Sequence, residues 1–239
     1  MMTEDTRLQL ALKVEQGTPE WLNARKSLIT ASDFGSASGL NKYKSKPQFL
    51  RDKLGQNSFS GNHLTAWGTR FEDTACDLYC AHMRSTCKNF SVRHTGLIVL
   101  GESRPYIGLS PDGLIQYEDE NGHTQHGLLE IKCPRFHKKT IPSYYYCQIM
   151  GICGYMHMLR GKMQQEFPAP TFCDFVEMTL ASLQITRYHY DDDAQAFFRE
   201  MDSKLSETHQ LLLINKAKLE RNELELKDGV LRGRLQTRL

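Results

Sequence analysis

The chain has few of the features that mark several classes of protein. No apolar run approaches the ~20 residues needed to span a bilayer, and the run at residues 96–100 has the length of a strand. The seven cysteines form no Cys-x-x-Cys pair, which argues against a zinc or iron–sulfur site and predicts buried free thiols. A net charge of +2 is too small for a protein that coats nucleic acid through bulk charge.

The first residues of the sequence do not have the pattern of a secretory signal. Its first residues are acidic, whereas a secretory signal has a basic stretch before an apolar core. We therefore expect a protein that is not secreted and not in a membrane, working inside a cell, in the cytoplasm or the nucleus. The 239 residues, 40% hydrophobic and 24% charged, are typical of a globular protein. We expect a main domain at residues 1–190 and a C-terminal amphipathic helix at residues 191–239.

Two acidic positions on neighbouring apolar segments are the strongest motif. Asp112 lies at a predicted strand end, and Glu130-Ile131-Lys132 lies in the next apolar run. Side chains at i and i+2 of a strand share a face, so Glu130 and Lys132 are expected to project together while Ile131 enters the core. Two carboxylates suit Mg²⁺, and a lysine beside them can orient a water molecule. The pattern predicts metal-dependent phosphodiester hydrolysis.

A surface hairpin with an ordinary Glu–Lys pair is the alternative interpretation, because Pro-Asp-Gly is a common turn. Two observations disfavour it. Glu130 interrupts an otherwise apolar run, and Cys133-Pro134 ends that run sharply. Charged groups on a buried strand are costly unless they have a function. The metal-site interpretation is therefore favoured.

The N-terminal part of the chain contains a candidate anion site. Thr18-Pro19 predicts the start of a helix that carries Arg25, and Thr30-Ala31-Ser32 opens a second, short helix. A helix N-terminus with hydroxyl groups and a nearby arginine is suited to a phosphate. Taken alone, these residues favour ordinary capping by Thr30 or Ser32 over a phosphate site.

Hydrophobic periodicity predicts alternating helices and strands, which indicates an α/β or layered α+β fold. Trp67, Phe71, Ala75 and Leu78 form the apolar stripe of a helix, with Glu72 beside it. The predicted helices cover residues 64–83 and 141–159, the predicted strands cover residues 90–92, 97–100, 106–109, 128–133, 172–179 and 183–190, and residues 116–127 form a predicted hairpin loop.

The tail from Ala194 contains no proline and predicts a helix with one apolar seam. Polar members of the seam weaken a coiled-coil interpretation. Packing on the core is favoured, and an oligomer contact is the alternative. The seam consists of Phe198, Met201, Leu205, Thr208, Leu212, Asn215, Leu219, Asn222 and Leu226.

Five ordered blocks between residues 16 and 190 resemble a known family. They are Trp-x3-Arg-x4-Thr-Ala-Ser at residues 21–32, Trp-Gly-x3-Glu at 67–72, Ser-Pro-Asp-Gly-Leu at 110–114, Leu-Glu-Ile-Lys-Cys-Pro at 129–134 and Tyr-x-Gln at 146–148. In this order they resemble the phage lambda exonuclease group of recombination nucleases, which is related to viral alkaline nucleases. The resemblance implies the restriction-endonuclease-like PD-(D/E)XK fold, with a central mixed sheet flanked by helices.

The resemblance also implies a role for individual residues. Asp112, Glu130 and the backbone carbonyl of Ile131 would bind the metal, and Lys132 would position the attacking water. Glu72 would approach the metal directly or through water, and Gln148 would support the lysine or the scissile strand. The family positions that grip a terminal 5′-phosphate correspond to Arg25, Ser32 and Ser110.

The implied activity is a Mg²⁺-dependent exodeoxyribonuclease, with Mn²⁺ as a substitute ion, that degrades one strand of duplex DNA from its 5′ end in viral recombination, repair or replication. The implied partners are double-stranded DNA ends, a single-strand annealing protein and, if the chain is phage-like, two further copies in a trimer. Two alternatives remain open: an endonuclease of DNA or RNA that uses the same site, and a non-catalytic module that binds DNA ends.

Overall fold

A computed structural model describes residues 14–55, 63–100, 104–159, 161–227 and 230–239. The acidic first residues, which led to the expectation that the protein is not secreted, lie outside these ranges. Within them, every helix is too short or too polar to cross a membrane.

The described elements alternate between helices and strands. The helices are α1 (Pro19–Arg25), α2 (Phe34–Ala37), α3 (Lys46–Lys53), α4 (His63–Thr86), α5 (Ser143–His157), α6 (Gly161–Glu166) and α7 (Asp192–Glu220), with a 3₁₀ turn at Ala31–Asp33. The strands are β1 (Ile29–Thr30), β2 (Lys88–Arg93), β3 (Ile98–Val99), β4 (Ile107–Leu109), β5 (Gly113–Glu118), β6 (Thr124–Lys132), β7 (Phe172–Met178), β8 (Leu183–His189), β9 (Glu225–Lys227) and β10 (Val230–Arg232).

A mixed five-stranded sheet with the order β2-β5-β6-β7-β8 forms the centre of the fold. Strands β6 and β7 run parallel, and the other neighbouring pairs are antiparallel. Helix α4 covers one face through a core that includes Tyr79, and α5 covers the other through a core that includes Ile149. The expected layered fold with a central mixed sheet is confirmed.

The predicted loop at residues 116–127 is wrong in extent. Gln116 pairs with His126 across β5 and β6, so only residues 119–123 form the turn. Asp119 shapes that turn, since its Oδ1 accepts hydrogen bonds from the backbone N–H groups of Asn121 and His123, both at 2.9 Å. The acidic run around Asp119 resembles a loop in composition, but its flanks are stabilised by the neighbouring strand.

Two further differences concern helices. Helix α3 is absent from the prediction although it begins with ordinary signals: Ser45 caps it by accepting from Gln48 N, and Pro47 lies in its first turn. In α4 the buried stripe includes Tyr79 and not Leu78, which is 49% exposed. The predicted stripe placed Leu78 in the core because its spacing from Ala75 fits a helix equally well.

The tail helix α7 packs on the core through the first six members of its predicted seam, from Phe198 to Asn215. Thr208 Oγ1 donates to the carbonyl of Ala37 at 2.8 Å, which explains one polar member of the seam. The seam does not continue to Leu226, because the helix ends at Glu220 and Asn222 turns the chain with a φ of 58°. Leu226 instead lies in the unpredicted β9–β10 hairpin.

Two glycines allow α5 to lie close to its neighbours. A Cβ atom at Gly151 would be 2.4 Å from the ring of Phe34, and one at Gly154 would be 2.3 Å from the ring of Phe198. Larger residues would therefore push α5 away from α2 and α7. This close packing fixes the position of Gln148, one turn earlier on the same helix.

An ion pair inside the sheet joins β7 to β8. Asp174 is 1% exposed and accepts two hydrogen bonds from the guanidinium of Arg187, at 2.7 and 2.8 Å. Tyr79 Oη donates to the same carboxylate at 2.7 Å, and Arg187 also donates to Tyr117 Oη. The network joins β5, β7, β8 and α4, because each contributes one of these side chains.

We expect Asp174→Asn to lower the free energy of unfolding by about 3 kcal/mol, because the buried partner of Arg187 loses its charge. Chemical denaturation measures this loss. Glu200→Gln is the matched control, since Glu200 pairs with Lys204 at an exposed position and its loss should change stability little. Equal stability of the Asp174→Asn variant and the unmodified chain would contradict the proposed importance of this network.

Candidate active site

The turn before β5 brings Asp112 against β6. Asp112 Oδ2 accepts a hydrogen bond from the backbone N–H of Ile131 at 2.6 Å. Gly113, the next residue, pairs with Leu129, and a Cβ at that glycine would be 2.5 Å from the side chain of Val92. The absence of a side chain at Gly113 therefore lets three strands meet closely next to the carboxylate.

Glu130 is the most buried carboxylate of the site, at 2% exposure. Its Oε1 accepts hydrogen bonds from Lys132 Nζ and from Gln148 Nε2. Its Oε2 is buried and has no hydrogen-bond partner among the described residues. Since buried polar atoms are nearly always paired, an unpaired oxygen of this kind fits a bound cation.

The carboxylates of the site are difficult to ionise together. Burial first, and then the neighbouring charge of Asp112, raise the pKa of Glu130 to about 8, although Lys132 opposes the shift. Burial also raises the pKa of Asp112, although Lys132 and the Ile131 amide oppose this. Burial would lower the pKa of Lys132, but attraction by Glu130 and Asp112 outweighs it and the pKa is raised. The lysine is therefore a stable cation between two carboxylates.

Glu72 lies on α4 at the edge of this group. Burial raises its pKa, and the charge of Asp112 raises it further while Lys132 lowers it. The electrostatic effects of both residues mean that Glu72 lies near them. Glu72 does not form a direct three-residue cluster with Asp112 and Glu130, since the described part of the chain has no group of three acidic, His or Cys side chains arranged to hold a metal.

The donor set fits a hard divalent cation. Two carboxylates supply oxygen ligands of the kind Mg²⁺ prefers, and the unpaired Oε2 of Glu130 is one such oxygen. Mg²⁺ commonly takes only one or two protein carboxylates and keeps several waters, so a third acidic ligand is not required. The predicted carbonyl ligand from Ile131 stays a prediction, because the structure shows only its N–H bond to Asp112.

A second group of residues surrounds the guanidinium of Arg25. The guanidinium of Arg25 stacks on Trp21 at 3.9 Å and donates to Thr30 Oγ1 at 3.3 Å and Ser32 Oγ at 3.0 Å. Trp21 Nε1 donates to Ser110 Oγ at 3.2 Å. The structure thus brings the three predicted phosphate-binding residues together, with Trp21 as the bridge.

Capping does not explain the hydroxyl of Thr30. That residue makes no side-chain cap bond to the 3₁₀ turn, and its Oγ1 donates to Asp33 Oδ2 at 2.9 Å. Burial lowers the pKa of Arg25, while attraction by Asp33 and Glu130 opposes the change. The coupling of Arg25 to Glu130 means that the arginine and the carboxylate group belong to one electrostatic site.

Several residues of the site carry no role in the sequence prediction. His94 Nδ1 donates to the carbonyl of Asp112 at 2.9 Å, and Gln16 Nε2 donates to the carbonyls of Pro111 and Thr95, both at 2.9 Å. These bonds hold the turn that presents Asp112. No local pattern marks His94 or Gln16, whereas the four-residue spacing of Trp21 and Arg25 on one helix is a usable signal.

Comparison with known proteins assigns the chain to a family. Residues 20–157, more than half of the chain, match the family model of the YqaJ-like viral recombinase domain. The chain belongs to this family. The matched stretch includes Arg25, Asp112, Glu130, Lys132 and Gln148, and the resemblance to lambda-type exonucleases inferred from the motifs is confirmed.

Two curated relatives and one solved structure are similar to this YqaJ-family chain. Protein D345L of African swine fever virus is 31% identical over 162 residues in isolate Tick/Malawi/Lil 20-1/1983 and 32% identical over 164 residues in strain Badajoz 1971 Vero-adapted. Each match covers 57% of this chain and 45% of the relative, so the chain spans less than half the length of these proteins. The crystal structure of LHK-Exo in complex with dAMP superposes with a TM-score of 0.57 and 24% identity, over 86% of this chain and 100% of that one, which supports the same fold.

A further buried carboxylate lies next to the site. Glu177 on β7 is in register with Lys132 on β6 and is 5% exposed. Burial raises its pKa, although His137 and Lys138 oppose the shift. Its Oε1 has no hydrogen-bond partner among the described residues. The charged form of Glu177 therefore destabilises the folded chain.

We expect Glu177→Gln to stabilise the chain at about pH 7.5 and to have little effect at about pH 4. A carboxyl group whose pKa is raised on folding contributes stability at low pH and loses it as the pH rises through the folded-state pKa. Thermal unfolding at both pH values measures the difference. The exposed Glu200, whose pKa is lowered by Lys204, is the control and should give no stabilisation. A lower melting temperature for Glu177→Gln at the higher pH would contradict the assignment.

Proposed function

We propose that this chain is a metal-dependent deoxyribonuclease that degrades one strand of duplex DNA from its 5′ end. The observation that carries the proposal is the state of Glu130. One of its oxygens is held by Lys132 and Gln148, and the other is buried without a partner among the described residues. Asp112 accepts a hydrogen bond from the backbone N–H of Ile131, the residue after Glu130. An arrangement this costly is expected where a cation and a phosphate bind.

Asp112 and Glu130 would hold Mg²⁺, with Mn²⁺ as a substitute and with Glu72 acting through water. When bound, the ion polarises a phosphate oxygen and lowers the pKa of a coordinated water. Family membership supports this assignment, since nucleases of the PD-(D/E)XK type generally use a divalent metal. The excess of carboxylates over cations in the site supports it independently.

Lys132 has the role of orienting water and offsetting charge. Its ammonium group is bonded to Glu130 and attracted by Asp112, so it stays protonated at neutral pH. A protonated lysine donates hydrogen bonds to the attacking water or to a phosphate oxygen, and this stabilises negative charge as it develops. Gln148 keeps Glu130 in place and so positions Lys132 indirectly.

The 5′ polarity rests on the group around Arg25. An arginine that is stacked, charged and bonded to two hydroxyls is prepared to bind a terminal phosphate with little loss of conformational freedom. Ser110 adds a third hydroxyl, held by Trp21. LHK-Exo, which has a similar fold, was crystallised with dAMP, a mononucleotide of the kind that stepwise cleavage releases.

The remaining parts of the proposal concern the setting of the reaction. The substrate is a double-stranded DNA end, and the single strand left by resection passes to an annealing protein inside the infected cell. Assembly into a homo-oligomer, a trimer if the chain is phage-like, would keep the enzyme on its substrate. Incubation with covalently closed circular DNA separates this activity from endonuclease action, because an exonuclease leaves the circle intact.

We expect Lys132→Ala to lower the rate of linear duplex degradation by about 10²–10⁴-fold, because the water loses its orienting cation. DNA binding should be retained. Release of nucleotides from duplexes labelled separately at the 5′ and 3′ termini, with and without Mg²⁺, measures both rate and polarity. Lys204→Ala removes a lysine of α7 that pairs with Glu200 and is the control. Full activity of Lys132→Ala would rule out the assignment, and release from the 3′ label first would overturn the polarity.

Mg²⁺ should stabilise the folded chain, by about 2.7 kcal/mol at a concentration one hundred times its Kd. Glu130→Gln should lose this stabilisation, because the amide replaces the unpaired anionic oxygen with a group that binds the ion poorly. Glu177→Gln keeps both site carboxylates and is the matched control. Thermal unfolding with increasing Mg²⁺ compares the three proteins. An identical Mg²⁺ response in Glu130→Gln and the unmodified chain would mean that the ion binds elsewhere.

Arg25→Ala should reduce the preference for 5′-phosphorylated over 5′-hydroxyl ends by about tenfold, the value of one charged hydrogen-bonded contact of about 1.4 kcal/mol. Degradation rates on the two substrates measure the ratio. The neighbouring Lys26→Ala removes a charge of the same sign and is the control. If Arg25→Ala leaves the ratio unchanged, the phosphate assignment fails even if the nuclease activity stands.

A further inference from the structure

A cleft of about 650 Å³ opens beyond the end of β6 that carries Lys132. Its walls come from three places in the chain: Trp67 on α4, residues 135–137 after β6, and residues 179–182 in the turn between β7 and β8. Phe136 and Leu180 line it and are 80% and 81% exposed. Large apolar side chains exposed together in a concave surface indicate a binding site.

The cleft is connected to the active site through the covalent chain. Residues 135–137 follow Lys132 directly after β6 ends. Trp67 precedes Glu72 by five residues on α4, which is about 7.5 Å along a helix axis. A second cavity of about 320 Å³ shares Trp67 and Leu180 and extends the apolar surface to Leu78. Glu177 pairs with Lys132, and Thr179 in the wall of the cleft follows two residues later, so the cleft lies just beyond Lys132 at the same end of the sheet.

One side of the cleft is polar. His137 Nε2 is 2.8 Å from Ser182 Oγ and 3.5 Å from Thr179 Oγ1. The hydroxyl groups of Thr179 and Ser182 belong to the lining. The cleft thus has polar groups beside its apolar walls, as a site for a flat molecule with a polar edge requires.

The segment that forms one wall is also basic. Arg135, Lys138 and Lys139 surround Phe136 and His137 in the sequence. A ligand with an apolar face, a hydrogen-bonding edge and a negative charge matches all three properties, and an unstacked nucleotide has them. A peptide partner would satisfy the apolar walls but gives no reason for the basic residues.

We propose that this cleft binds an unpaired base of the DNA strand that passes through the active site, with its phosphate near Arg135. The proposal rests on the proposed nuclease function. Bases in a duplex are stacked on their neighbours, so only a base freed from pairing can enter. Stacking against Phe136 and Trp67 tolerates any base, because every base has a π-face. The cleft would therefore bind single-stranded DNA with little sequence preference.

The test compares a short single-stranded oligonucleotide with an abasic strand of the same length and charge, by fluorescence anisotropy in EDTA. The unmodified chain should prefer the strand with bases by about five- to a hundredfold. Phe136→Ala and Leu180→Ala should reduce this preference by about fivefold or more without changing affinity for the abasic strand. Both side chains are largely exposed, so the variants should fold. Leu239→Ala, which removes a leucine of 69% exposure elsewhere, should keep the full preference.

An unchanged preference in both variants, or an equal loss of affinity for both strands, would overturn the base-binding cleft. The first result is the one expected if the cleft takes a protein partner. Because binding is measured without metal, the outcome is independent of cleavage. If the unmodified chain does not degrade linear duplex but keeps a base preference that Phe136→Ala removes, the proposed nuclease function fails and the cleft stands.

Discussion

The buried carboxylate of Glu130 is the interaction on which the rest of the site depends. Burial and the nearby Asp112 raise its pKa to about 8, so the folded chain holds a group that resists ionisation at neutral pH. Lys132 and Gln148 pair one oxygen and leave the other without a partner among the described residues. The unpaired oxygen is the feature that the proposed divalent cation would satisfy.

The fold holds this group rigidly from several directions. The parallel pair of β6 and β7 sets the register of the site, and the Asp174–Arg187 ion pair fixes β7 to the strand beyond it. Two glycines let α5 lie close to α2 and α7, and Gln148 on α5 donates to Glu130. A small shift of α5 or of β7 would separate the oxygens that would share one ion in the proposed site.

Some residues of the site could be predicted from the sequence, because the repeat of a strand or a helix determines which side chains lie on the same face. Glu130 and Lys132 share a face because strands repeat every two residues, and Trp21 stacks on Arg25 because helices bring i and i+4 together. His94 and Gln16 could not be found in this way, since they reach the Asp112 turn across long stretches of chain. The polar composition of the C-terminal half of β5 predicts a loop. The segment is a strand because it pairs with β6.

Binding of an ion between Asp112 and Glu130 can be observed directly. The most direct measurement is an anomalous difference map from crystals of the chain soaked in Mn²⁺, whose scattering distinguishes it from water. The account predicts a peak within about 2.0–2.4 Å of an oxygen of Asp112 and of Glu130 Oε2. A peak bound only at other residues, with Glu130 Oε2 still unpaired, would contradict it.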